Sequence, residues 1–368
     1  MDCDSDSEAV WNLEERPSKS SRVYLRGDSN GFCKHTPLQE TCHTALSATR
    51  MGPLERNPLP PPFNKARPGA PIVVSHRAGG NEAPENTLAA LRHAEKAGSK
   101  LMQMDILQIA DGTPIVYHDP SLKRTHGMDL EVKKIPTVAD LPPFPEVLEP
   151  CLAIGGAKPI HTTAFKYGRR IALVKELLDE AAPDTFLLLE FWEEDKELVE
   201  KVVHMIKDAG RSETVILGNP FSTKTWQFCK EALPGVSTIL PLSEVFKLYA
   251  YYMFGLLFWW RPPAQNVVFN IPLFTTDWHI GLAKPPPQST WKQKLGVFAF
   301  FQFCNFMKWL LPRPKLFSWL QEHGIPVMVF ILNRPVDWDY ALSLDGISAI
   351  MTDHPMALNE YLKARQFS

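Results

Sequence analysis

Pro71-Ile72-Val73-Val74-Ser75-His76-Arg77-Ala78-Gly79-Gly80-Asn81-Glu82-Ala83-Pro84-Glu85-Asn86-Thr87 is the stretch on which the reading of this chain turns. The apolar run Pro71 to Ser75 reads as a short buried strand and His76 to Pro84 as a loop. Asn86 or Thr87 then caps a helix through Leu88, Leu91, Ala94 and Ala97, which Gly98 closes. Strand, loop and helix in that order make one βα unit, and a succession of such units builds a parallel sheet.

Working outward, the unit recurs. Leu101 to Ile109 alternates, with Met102, Met104 and Ile106 on one face and Gln103 and Asp105 on the other. Asp111-Gly112 turns the chain into a third strand, Pro114 to Tyr117, with His118-Asp119 at its end. Phe186 to Glu190, a helix over Glu197 to Ala209, Thr214 to Leu217, Val327 to Asn333 and Ala349 to Asp353 continue the pattern. The expected fold is therefore α/β, a (β/α)8 barrel of the TIM type, and no sequence repeat other than the βα recurrence is visible.

Upstream, residues 1–70 are rich in Ser, Pro, Arg and Asn and end in Asn57-Pro58-Leu59-Pro60-Pro61-Pro62. Too few apolar side chains are present to offset chain entropy, so a disordered extension is expected there. Its start, MDCDSDSEAV, is acidic where a signal peptide needs a basic and then apolar start, so no secretory targeting is expected. Six cysteines lack a framework spacing, and Cys33, His35, Cys42 and His43 fit no standard zinc pattern. Reduced thiols and a cytoplasmic setting follow. The 368 residues carry 39 Lys plus Arg against 41 Asp plus Glu, so no basic field recommends a nucleic-acid partner.

Polar residues gather at or just past the expected strand ends: His76, Arg77, Gln103, Asp105, His118, Glu190, Asn219, Asn333 and Asp353. In a parallel barrel they converge on one face. Two histidines suit acid and base roles, carboxylates suit a hard cation, and an arginine suits a phosphoryl oxygen. Together they describe metal-assisted cleavage of a phosphate ester.

His76-Arg77, Pro84-Glu85-Asn86-Thr87, Asp105, Asp111-Gly112, His118-Asp119, Arg124-Thr125 and Met351-Thr352-Asp353-His354-Pro355 resemble, in that order, the signature of the glycerophosphodiester phosphodiesterase family. The likeness covers roughly residues 71–365, the expected barrel domain. Leu217-Gly218-Asn219 and the segments ending near Arg261-Pro262 and Asn333 are most similar to its membrane-associated lysophospholipase D branch. The resemblance implies a divalent-cation phosphodiesterase acting on lysophospholipids or glycerophosphodiesters, with Mg²⁺ or Ca²⁺ as cofactor. It assigns His76 and His118 as the acid/base pair and Arg77 as a phosphate ligand. Asp105 and Glu190, with Gln103 in a third place, become metal ligands, and Glu85 and Asp353 become supporting residues. Asn219 and Asn333 are candidates for substrate contact.

Three positions depart from that pattern. Gln103 stands where the family has a glutamate, Trp192 where it tends to have a basic residue, and Ala78 where a glycine is usual. A catalytically impaired barrel that binds lipid or protein is the alternative those departures raise, and a soluble glycerophosphodiesterase is a third reading.

Residues 246–312 form an apolar, aromatic-rich insertion. Its uncharged runs, in Phe246 to Trp260 and Leu295 to Leu311, are about 13 residues each, short of the roughly 20 a spanning helix needs. The expectation is an interfacial pair that sets the barrel mouth on a bilayer. Trp259, Trp260 and Trp309 would sit at headgroup depth and Lys292, Lys294, Lys308, Arg313 and Lys315 near anionic lipid. A peripheral place on the cytoplasmic membrane face follows; the oligomeric state is left open.

Overall fold

Alternation along the strands sorts side chains into two cores. In the computed structural model, which describes residues 57–65, 70–150, 157–274 and 290–365, the strands run in chain order as follows. They are β1 (Ile72–Ser75), β2 (Leu101–Gln108), β3 (Pro114–Val116), β4 (Val147–Leu148), β5 (Ile160–His161), β6 (Ala172–Leu173), β7 (Phe186–Phe191), β8 (Val215–Gly218), β9 (Ser237–Ile239), β10 (Val267–Pro272), β11 (Val327–Phe330) and β12 (Ala349–Thr352). Parallel pairing runs β1, β2, β7, β8, β9, β10, β11, β12 and back to β1, which closes the barrel. Val74, Leu101, Leu188, Ile216, Ile239, Val268 and Met328 fill its interior. Met102, Met104, Ile106, Leu187 and Leu189 face outward onto the helices. Each such apolar side chain taken out of water contributes roughly 1.5–3 kcal/mol before chain entropy is charged against it.

The helices start on side-chain caps. Thr87 accepts from the Ala90 amide at 3.1 Å, Asp195 from Leu198 at 3.0 Å and Ser222 from Thr225 at 3.1 Å.

Four features differ from the sequence reading. First, the strand before His118 is not a barrel stave: β3 pairs antiparallel with the far end of β2, Ile106 opposite Val116, so His118 arrives on a hairpin. Second, β9 and β10 are barrel strands that periodicity did not reveal. β9 has three residues, and β10 lies between aromatic segments.

Third, residues 246–312 are therefore not one insertion. The helix Leu242–Met253 buries Val245, Leu248 and Tyr249, and β10 completes the barrel. Among the described residues of this region, the helix Trp291–Leu310 stands out from the barrel, with Cys304 and Met307 its buried residues.

Fourth, residues 57–65 do not behave as a linker. Phe63 is 1% exposed among Val74, Leu101, Phe186 and Leu188, sealing the barrel where the strands begin. Residues 1–56 and 66–69 of the expected extension, with its Cys33 to His43 cluster, lie outside the described residues.

Candidate active site

β1 ends at Ser75, and the chain then folds back on itself. Arg77 has φ 49° and Ala78 φ 60°, a left-handed conformation costing roughly 1–2 kcal/mol per residue with a Cβ. The glycine-to-alanine departure at 78 is thus paid in strain. What holds the turn is polar: the Arg77 amide donates to Gln103 Oε1 at 2.8 Å, and the Asn86 amide to the Arg77 carbonyl at 3.0 Å. The result is a buried guanidinium that donates to Glu85 at 2.9 Å and lies 3.6 Å from Asp105.

Both histidines are oriented by carboxylates. His76 Nδ1 lies 2.6 Å from Asp353 Oδ1, and His118 Nδ1 lies 2.6 Å from Asp119 Oδ1. Asn333 fixes Asp353 by donating to Oδ2 at 2.7 Å and accepting from its backbone amide at 2.8 Å. Arg124 ties Asp119, at 2.5 Å, to Glu85. Burial alone would raise these carboxyls. His76 and Asn333 nevertheless hold Asp353 below the usual range, Arg77 and Arg124 do so for Glu85, and His118 and Arg124 bring Asp119 down to about 2.

Asp105 and Glu190 are register partners on β2 and β7, so their side chains enter the barrel side by side. Asp105 accepts from Gln103 Nε2 at 2.7 Å and Trp192 Nε1 at 2.8 Å on one oxygen, and from Asn86 Nδ2 at 2.8 Å on the other. Against its burial, Arg77, His118 and these donors keep it ionised and below the ordinary value. Glu190 responds oppositely: burial, and then the charge of Asp105, push it up to about 8.

The strand-end residues His76, Arg77, Gln103, Asp105, His118, Glu190, Asn333 and Asp353, with Glu85, thus form one polar cluster at the C-terminal end of the barrel. Asn219 serves the scaffold instead, donating to the Phe191 carbonyl at 2.6 Å and accepting from the Phe221 amide at 2.7 Å. Asn333, too, spends its amide on Asp353 and Thr352 rather than facing a substrate. Sequence reasoning gives no site role to Asp119 or Arg124 and reads Asn86 only as a possible helix cap, although all three stand in the quoted motifs; Thr87 is the cap, and Asn86 and Arg124 act through Asp105 and Glu85, 19 and 39 positions away. Trp192 was noted only as a missing cation.

A family model described as the glycerophosphoryl diester phosphodiesterase family matches residues 76–357, more than half of the chain. The chain belongs to that family. As a glycerophosphoryl diester phosphodiesterase family member it is a phosphoric diester hydrolase by class. It is 27% identical to mouse lysophospholipase D GDPD3 over 81% of this chain and 85% of that protein. It is 28% identical to human lysophospholipase D GDPD1 over 78% and 85%. Among solved structures, a putative glycerophosphoryl diester phosphodiesterase from Silicibacter pomeroyi superposes with a TM-score of 0.56 at 18% identity, covering 82% of this chain and 96% of that one. The glycerophosphoryl diester phosphodiesterase domain of a Mycobacterium tuberculosis protein does so with a TM-score of 0.55 at 17% identity, covering 79% and 99%. These likenesses carry the fold.

The family is in general divalent-metal dependent, and the donor set in this phosphodiesterase does not fit such an ion. Gln103 is not placed as a ligand: its oxygen accepts from the Arg77 amide and its NH2 faces Asp105. The reverse orientation would set a carbonyl against the Asp105 carboxylate and leave the Arg77 amide unpaired, so the network itself fixes the amide. Among the described residues no three His, Cys, Asp or Glu side chains converge as a metal cage.

Proposed function

We propose that this phosphodiesterase acts on lysophospholipids, releasing the head-group alcohol, with glycerophosphodiesters as the simpler substrates of the same site. The observation that carries the reading is the pair of carboxylate-oriented histidines, His76 with Asp353 and His118 with Asp119, beside the buried Arg77. With each Nδ1 held, each Nε2 is the nitrogen that exchanges a proton with substrate. One imidazole takes the proton of the attacking hydroxyl, from water or the substrate's glycerol, as its oxygen bonds to phosphorus. The other gives a proton to the head-group oxygen as its bond to phosphorus breaks. Arg77 supplies positive charge to the phosphoryl oxygens.

The acyl chain has an apolar surface to meet. The helix Trp291–Leu310 follows β10 and so belongs to the mouth side of the barrel, and Phe274 just past β10 meets Phe303 edge-on at 6.5 Å. Trp291, Phe298, Phe303, Phe306 and Trp309 are at least half exposed on it. An apolar face of this size on a helix flanked by Lys292, Lys294, Lys308 and Arg313 suits an anionic bilayer surface. Peripheral attachment to the cytoplasmic membrane face is the location we infer.

The other half of the expected interfacial pair does not join it. Trp260 is buried in the core, and the exposed Phe254, Phe258 and Trp259 precede β10 in the chain whereas the helix Trp291–Leu310 follows it. No single described helix is long and apolar enough to cross a membrane. A bent pair, Trp291–Leu310 with Pro314–Glu322, passes by length and composition, but the second member buries Leu316, Phe317 and Leu320 against the barrel.

The test compares choline release from lysophosphatidylcholine and from glycerophosphocholine by the purified chain, with sedimentation on anionic liposomes. Faster turnover of the lysolipid together with liposome binding supports the reading. Exclusive turnover of the deacylated substrate without binding replaces it with a soluble glycerophosphodiesterase, and turnover of neither favours the binding-only barrel.

A further inference from the structure

The mismatch between the donor set and a cation has a structural counterpart. A divalent cation in this place would hold two neighbouring carboxylates together and fix their orientation by bonding their oxygens. Here the Gln103 NH2 group donates to Asp105 at 2.7 Å, and the same side chain favours the charged form of the neighbouring Glu190. Trp192 Nε1 reaches the same Asp105 oxygen at 2.8 Å, and Asn86 Nδ2 donates to the other at 2.8 Å with the charge of Arg77 3.6 Å from it. Both oxygens of Asp105 are thereby engaged by protein donors. Gln103 and Trp192 are the two positions at which this chain exchanges a carboxylate and a base for neutral donors. The two exchanges are complementary: one removes a ligand, and the other adds a donor to the ligand that is left.

We propose that this barrel holds no resident divalent cation, and that Gln103, Trp192 and Asn86 fix Asp105 by hydrogen bonding in place of metal coordination. Asp105 then serves as a positioning residue, holding the charge of Arg77 at 3.6 Å while Glu85 accepts from its guanidinium at 2.9 Å. The proposal concerns what holds Asp105 and stands apart from the choice of substrate.

The test is a Mn²⁺ titration of the full-length chain, read by loss of the free-ion electron paramagnetic resonance signal, which requires no turnover. Wild type is expected to show no saturable binding at millimolar Mn²⁺. Gln103→Glu, which restores a third carboxylate, is expected to bind one ion per chain at least tenfold more tightly. Circular dichroism confirms that the variant is folded; if it is not, Gln103→Asp takes its place. Saturation of wild type by one Mn²⁺, abolished in Asp105→Asn, would overturn the proposal. Failure of the folded carboxylate variant to gain an ion would overturn the part assigned to Gln103. Trp192→Phe, which keeps an aromatic ring and removes the N–H, is expected to raise KM for a phosphodiester through a loosened Arg77; an unchanged KM removes Trp192 from the device.

Discussion

Asp353 Oδ1 sits 2.6 Å from His76 Nδ1 although the two residues are 277 positions apart. They meet because β1 and β12 are barrel neighbours in register, Ser75 beside Thr352, so the residues just past each strand emerge together. The contact fixes the His76 tautomer. Asp353→Asn presents an amide that can hold the ring in the wrong one. Its kcat is expected to fall roughly 100- to 10,000-fold, the usual worth of acid/base help. KM should change little, which steady-state kinetics on glycerophosphocholine can check.

Glu190 carries a pH signature. Its ordinary value is 4.5 and burial beside Asp105 lifts it to about 8, so across that window the folded chain keeps a proton that the unfolded chain has released. Stability therefore falls as pH rises from about 5 to 8. Glu190→Gln removes this dependence, and its melting temperature relative to wild type should increase over the same range. A constant offset between the two would refute the assignment of a protonated Glu190.

Phe63 is expected to be as much a part of the barrel as any strand residue. It is 1% exposed at the closed end, so Phe63→Ala should cost about 3–5 kcal/mol in urea unfolding. A loss below about 1 kcal/mol would mean that residues 57–65 do not seat there in solution.

The exposed aromatic helix should separate two activities. Replacing Phe298, Phe306 and Trp309 with serine removes side chains that are 58%, 54% and 63% exposed, so folding should be little affected. Liposome sedimentation and turnover of the lysolipid should drop several-fold, while turnover of glycerophosphocholine stays within about twofold.

How much of this was legible beforehand follows from where information lies along a chain. β2 alternates cleanly, so period alone puts its methionines on one face and Gln103 and Asp105 on the other, and closure of the barrel makes the first face outward and the second inward. β9 and β10 escaped because three residues cannot display a period and because Val267 to Pro272 is apolar among apolar neighbours. His76, Arg77, Asp105 and His118 were found through motifs local in sequence. Asp353 and Glu85 are legible only as supporting residues and Asn333 only as a substrate contact, while Asp119, Arg124 and the Trp192 donor go unassigned, because the links of Asp119 to Glu85 through Arg124, of Trp192 to Asp105 and of Asn333 to Asp353 exist only once the barrel closes. Asn219 was over-read for the converse reason: a polar residue at a strand end can be spent on the backbone, as its bonds to Phe191 and Phe221 show.

The central claim is that two carboxylate-oriented histidines cleave a phosphodiester of glycerol. It is tested most directly by measuring choline release from lysophosphatidylcholine and glycerophosphocholine by wild type, His76→Ala and His118→Ala. The account predicts release by wild type and a loss of roughly 100-fold or more in each variant, with the fold intact by circular dichroism. Release that persists in either folded variant, or none from wild type on both substrates, would contradict it.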